Sequence, residues 1–119
     1  KVNGAYHGDL LNMNINNRFE LITFNKVLEH LVNPIDYLNK SRDYLKNNGI
    51  LYIELPEGDR IIEKNTIENR SEFAVEHYTI YNNNSIKKLL SESGFYMLQS
   101  EVVTDPSGKY TIYAFAKLM

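Results

Sequence analysis

The 119 residues include no Cys and no Trp, only three Pro and six Gly, and little net charge, formally −2 from 13 Lys+Arg against 15 Asp+Glu. Each scarcity excludes something. Without cysteine there is no disulfide framework, no thiolate zinc site and no Cys nucleophile. Without a cationic excess there is no basic footprint, and no nucleic-acid partner is expected. No apolar run approaches the roughly 18 residues of a membrane span, so no membrane partner is expected either. Lys1-Val2-Asn3-Gly4 does not read as a signal peptide, and a cytoplasmic location is the default expectation. The glycines, at 4, 8, 49, 58, 94 and 108, never fall one residue apart, so there is no Gly-x-Gly cradle for a phosphate. A Gly-x-Ser-x-Gly elbow, a Walker lysine and a His-Glu-x-x-His zinc motif are absent too.

What is present is a 43 % hydrophobic chain whose apolar residues come in short, punctuated runs. A chain of this length forms one domain and buries roughly two-thirds of its unfolded surface without a staple. Phe19 to Phe24 is short and β-prone after the polar stretch Asn12 to Arg18. Asn33-Pro34-Ile35-Asp36 then opens a helix: Asn caps, Pro lacks the N–H that the first turn leaves unpaired, and Asp36 meets the positive end of the dipole. Ile35, Leu38 and Leu45 make its apolar stripe, and Asn47-Asn48-Gly49 is expected to stop it. Ile50 to Leu55 is the continuous apolar run of a strand covered on both faces. Strand, helix, strand with short links is a right-handed crossover, so the two strands are expected to be parallel. Arg60 to Tyr81 carries no decisive signal. Asn82 to Ser85 offers caps for a helix that ends at Gly94, and Phe95 to Val103 and Tyr110 to Phe115 read as strands. Asp105-Pro106-Ser107-Gly108 joins these as a tight turn, predicting an antiparallel hairpin. The fold class is therefore α/β.

Ligands of open α/β sheets lie outside the carboxyl ends of the strands. That rule selects Gly8-Asp9-Leu10, Asn25 to His30 and Pro56 to Asp59. Asp9 can accept from a ribose hydroxyl or an exocyclic amine, or serve as an ordinary turn residue. Glu29-His30 can form an acid/base pair or supply two ligands to a divalent ion, or can merely cap a turn and satisfy loop carbonyls. Glu76-His77 repeats the pairing, and His77 faces His30 if its segment crosses at the carboxyl end of the sheet.

Phe19 to Leu31 with its Val27-Leu28-Glu29-His30-Leu31 turn, Asn33-Pro34, and Leu45-Lys46-Asn47-Asn48-Gly49 running into Ile50 to Pro56 together resemble the class I S-adenosylmethionine-dependent methyltransferases. The likeness is to the small-molecule and quinone-type branch with a Leu-Glu-His signature. Glu76-His77 to Tyr81, Ser85 to Leu90 and Ser93-Gly94-Phe95 resemble that branch's continuation. The resemblance implies a Rossmann-like, three-layer αβα fold with a C-terminal antiparallel hairpin, S-adenosylmethionine as cofactor and a small-molecule methyl acceptor. It implies that Asp9 takes the adenine amino group with the Leu10 backbone beside the ring, and that the main chain of Asn25 and Lys26 lines the methionine end. His30 or His77 would be the catalytic base. Lys26, a cation, stands where the metal-using branch carries an earlier Glu, so no metal site is expected. The family's first strand, Gly-x-Gly loop and acidic residue after the second strand are not among these residues. The resemblance thus makes residues 1–119 the C-terminal portion of a single methyltransferase domain, a fragment expected to bind cofactor poorly alone. Its strand at 19–24 would be an unprotected edge open to self-association. The competing expectation is a degenerate methyltransferase-like module that binds a protein partner through that edge and catalyses nothing.

Overall fold

The computed structural model describes residues 4–58 and 79–119. Four strands form one mixed sheet: β1 (Phe19–Asn25), β2 (Leu45–Pro56), β3 (Phe95–Thr104) and β4 (Tyr110–Leu118), in the order β1-β2-β4-β3. β1 and β2 run parallel, as the crossover predicts, through α1 (Pro34–Arg42). β4 lies antiparallel to both β2 and β3, so the chain runs out to the edge at β3 and returns to the centre. Asp105 makes that reversal: its backbone carbonyl accepts from Gly108 at 2.9 Å and its Oδ1 from Ser107 N at 3.0 Å and Lys109 N at 3.1 Å.

The period-two pattern of the strands decides which face is core. Leu51, Ile53 and Leu55 of β2 and Ile112, Ala114 and Ala116 of β4 are buried in one cluster with Leu38 of α1 and Ile86, Leu89 and Leu90 of α2 (Asn83–Glu92). Both helices therefore cover the same face, and the described residues build two of the three layers implied by the resemblance. The other face carries Tyr52, Tyr113 and Phe115, whose rings meet at centroid distances of 5.0 to 6.2 Å. These three stay only half-buried.

Two details depart from expectation. α1 ends at Arg42 and not at Gly49: Tyr44 and Leu45 are needed in the core, and the tight bonds Asp43 N→Lys40 O and Tyr44 N→Ser41 O, both 3.1 Å, close the helix early. Gly49 instead serves a bulge. Between the pairs Phe19↔Leu45 and Leu21↔Ile50, β1 advances two residues and β2 five. A Cβ at Gly49 would lie 2.6 Å from Leu45 Cδ1 and 2.9 Å from the Lys46 carbonyl, so only glycine lets the chain fold back there. Ala5 to Gly8, ahead of the Asp9 turn, is exposed and lies outside the four strands.

Candidate functional site

The carboxyl ends of β1 and β2 lie side by side, Asn25 opposite Glu54. Asn25 is exposed at the end of β1. Lys26 follows in the left-handed region at φ 56°, a conformation in which an L side chain crowds its own backbone. Two contacts hold it there. Its N–H donates to the Glu54 carbonyl at 2.9 Å, continuing the parallel ladder one residue further. Its ammonium donates to Thr111 Oγ1 at 2.7 Å, crossing from the end of β1 to β4. Thr111 is buried, and its hydroxyl lies 3.5 Å from Asp105 Oδ2 in the hairpin turn. The Asp105 carboxyl is held below its ordinary value, chiefly by the Ser107 hydroxyl, with the Lys26 charge a smaller contributor.

A 3-10 turn at Leu28–His30 then drops Leu28 into the core and carries Glu29 with it. The Glu29 side chain is 1 % exposed, with Oε1 3.7 Å from His30 Nε2, while the imidazole is 43 % exposed. The other carboxylate oxygen, Oε2, is buried with no hydrogen-bond partner among the described residues. Burying a carboxylate oxygen without a donor is costly, and such atoms are rare in folded proteins. Tyr81 is the neighbour that feels it: burial, with the Glu29 charge adding, pushes the Tyr81 hydroxyl up, opposed by a hydrogen bond with Thr79. Tyr81 is joined to the end of β2 by a parallel bridge with Glu57, and its carbonyl accepts from Gly58 N at 2.8 Å. With Thr79, Val32 and Asn33 it also lines a cavity of about 580 Å³ between the start of α1 and α2.

Asp9 stands apart from this group, on the α1 side. Its Oδ1 accepts from Leu11 N at 3.2 Å, as a cap for the turn Leu10–Asn12, and from the Tyr37 hydroxyl at 2.7 Å. The second bond holds the Tyr37 hydroxyl above its ordinary value. Leu10 is half-buried against the core. The structure thus brings Asn25, Lys26, Glu29 and His30 to one end of the sheet and places Asp9 and Leu10 beside α1. His77 lies outside the described residues. Tyr37 and Thr111 escape a reading by motif, since Tyr37 meets Asp9 and Thr111 meets Lys26 only through long-range packing. Among the described residues no group of three or more His, Asp or Glu could hold a metal ion. No helix among them is long and apolar enough to cross a membrane.

Residues 6–100 match the methyltransferase domain family. The chain belongs to that family. Solved structures agree on the fold of this methyltransferase domain. An S-adenosylmethionine-dependent methyltransferase from Clostridium acetobutylicum superposes with TM-score 0.68 at 14 % identity, covering 95 % of this chain and 63 % of its own. The Burkholderia thailandensis 1,6-didemethyltoxoflavin-N1-methyltransferase, solved with that compound and S-adenosylhomocysteine, gives 0.72 at 17 %, covering 92 % and 48 %. LepI in complex with S-adenosylmethionine gives 0.70 at 11 %, covering 94 % and 29 %. The chain therefore spans less than two-thirds of each of these proteins. Among curated proteins, none matches this sequence.

Proposed function

We propose that the protein to which this chain belongs transfers a methyl group from S-adenosylmethionine to a small-molecule acceptor, and that residues 1–119 are the C-terminal half of its catalytic domain. Membership of the methyltransferase domain family over residues 6–100 carries the reading. The residues present suit the cofactor. Both hydrogen bonds to Asp9 fall on Oδ1, which leaves Oδ2 to accept from an exocyclic amine, with Leu10 beside the ring. Lys26 in its left-handed turn brings backbone, rather than side chain, to the end of β1, where with Asn25 it would line the methionine end. S-adenosylmethionine supplies, when bound, a sulfonium methyl that needs an aligned nucleophile in a dry pocket. His30, at the rim with its ring partly exposed, would take the proton of a protonated acceptor, a role shared with His77.

Calorimetric titration of S-adenosylmethionine into the protein with its upstream sequence tests this. Micromolar binding that weakens tenfold or more in Asp9→Ala is expected, and no heat from a well-folded protein overturns it. A second reading has one observation of its own. Among the described residues β1 is a sheet edge with Leu21 55 % exposed, and no proline or lysine interrupts Phe19–Asn25. A methyltransferase-like module that binds a protein partner, or a second copy, through this edge would lose the complex on Leu21→Lys while binding no cofactor.

A further inference from the structure

Glu29 has no role in the reading above, and the fold gives it an expensive place. Its side chain is 1 % exposed, at the carboxyl end of β1, where ligands of such sheets lie. Oε1 has the His30 ring at 3.7 Å; Oε2 has no hydrogen-bond partner among the described residues. A buried carboxylate oxygen without a donor destabilises the chain that carries it, and local rules are broken in this way mainly where a ligand restores them.

We infer that Glu29 is a ligand-binding residue, whose Oε2 accepts a hydrogen bond from a nitrogen donor, an ammonium or an N–H, of the small molecule bound at the end of β1. This rests on the methyl-transfer reading for the place of the ligand but not for the unsatisfied oxygen. A carboxylate oxygen takes a donor and not an anion, and the nearby Lys26 ammonium is committed to Thr111 at 2.7 Å. Tyr81, bridged to Glu57 at the end of β2, lines the 580 Å³ cavity and so places it at the same end of the sheet. Two molecules could bring the nitrogen, the amino-acid end of the methyl donor or the methyl acceptor itself.

Two measurements on the full-length protein separate the possibilities. In urea without ligand, Glu29→Met keeps the length of the side chain and removes the unsatisfied oxygen. Its midpoint is expected to rise by roughly half a molar, and an unchanged or lower midpoint overturns the inference. In calorimetry, S-adenosylhomocysteine is compared with 5′-methylthioadenosine, which lacks the amino-acid end. If Glu29→Gln weakens the first about tenfold and leaves the second unchanged, the donor is the ammonium of the cofactor. If both bind as in the wild type while Glu29→Met is stabilised, the nitrogen belongs to the acceptor. Equal weakening of both marks a general distortion and overturns the assignment. If the wild type binds neither compound, the methyl-donor reading fails, and the urea result judges Glu29 separately.

Discussion

The stretches Tyr81 to Asn83 and Asn25 to Pro34 both lead from an extended segment into a helix, and they do so in opposite ways. Into α2, Asn82 Oδ1 accepts from Ser85 N at 2.8 Å while Ser85 Oγ accepts from Asn82 N at 2.9 Å, a reciprocal capping box. Into α1, the chain passes a left-handed Lys26, a 3-10 turn and an unsatisfied Glu29, and the Asn33 side chain caps no backbone N–H, bonding instead to Asp36 Oδ2 at 3.1 Å. One passage settles its own backbone, whereas the other depends on contacts far along the chain. Local closure and dependence on distant contacts are thereby divided between the two passages.

If that division is right, the largest losses come from the side of the orderly passage. Leu90 is fully buried on α2 between Ile86 and the β-sheet core. Leu90→Ala is expected to cost about 3 kcal/mol in urea unfolding, by lost transfer energy and the cavity left behind. A loss below about 1 kcal/mol would mean that α2 is not what holds the sheet. Next comes Lys26→Val. A β-branched residue at φ 56° is strained, and the bond to Thr111 goes as well, so a cost of about 2 kcal/mol is expected. Lys26→Gly relieves the strain while losing the same bond and should change stability by less than about 0.5 kcal/mol. Equal costs for the two substitutions would show that Lys26 matters for its ammonium alone.

Asn82→Ala is the milder test of the orderly passage. It removes the bond from Ser85 N and is expected to cost about 1 kcal/mol, with the slope of the urea transition unchanged.

The legibility of the sequence follows the same division. The Asn82 cap, the Gly94 stop, the Pro34 start and the Asp105 to Gly108 turn are local signals, and the structure uses each of them. Gly94 takes the left-handed φ of 83° that a helix end favours. Asn47-Asn48-Gly49 looks the same locally but is a bulge, because Leu45 is drawn into the core before the helix can extend that far. Lys26 gives no local sign of its conformation: its partners are Glu54 and Thr111, the latter 85 residues away. Glu29-His30 is visible as a pair, yet nothing in the dipeptide tells that one side chain is buried and the other at the rim.

The smallest expected effect links the hairpin turn to Lys26. Asp105 accepts from the Ser107 hydroxyl at 2.5 Å and from two backbone N–H groups, and these bonds hold its carboxyl below its ordinary value near 3.8. A carboxyl lowered in the folded state stabilises the fold above its unfolded value. That contribution declines below pH 3.8 and is lost as the pH passes through the folded value. Asp105→Asn should therefore be slightly less stable than wild type at pH 7, and the gap should close toward pH 2. Unfolding midpoints of both proteins across pH 2 to 7 measure it. In the background of Lys26→Met the gap at pH 7 should narrow only a little, since the Lys26 charge is the smallest of the causes that lower Asp105. If it collapses in that background, the hairpin is tied to the end of β1 mainly through charge, and the irregular passage into α1 contributes more to the fold than its local geometry implies.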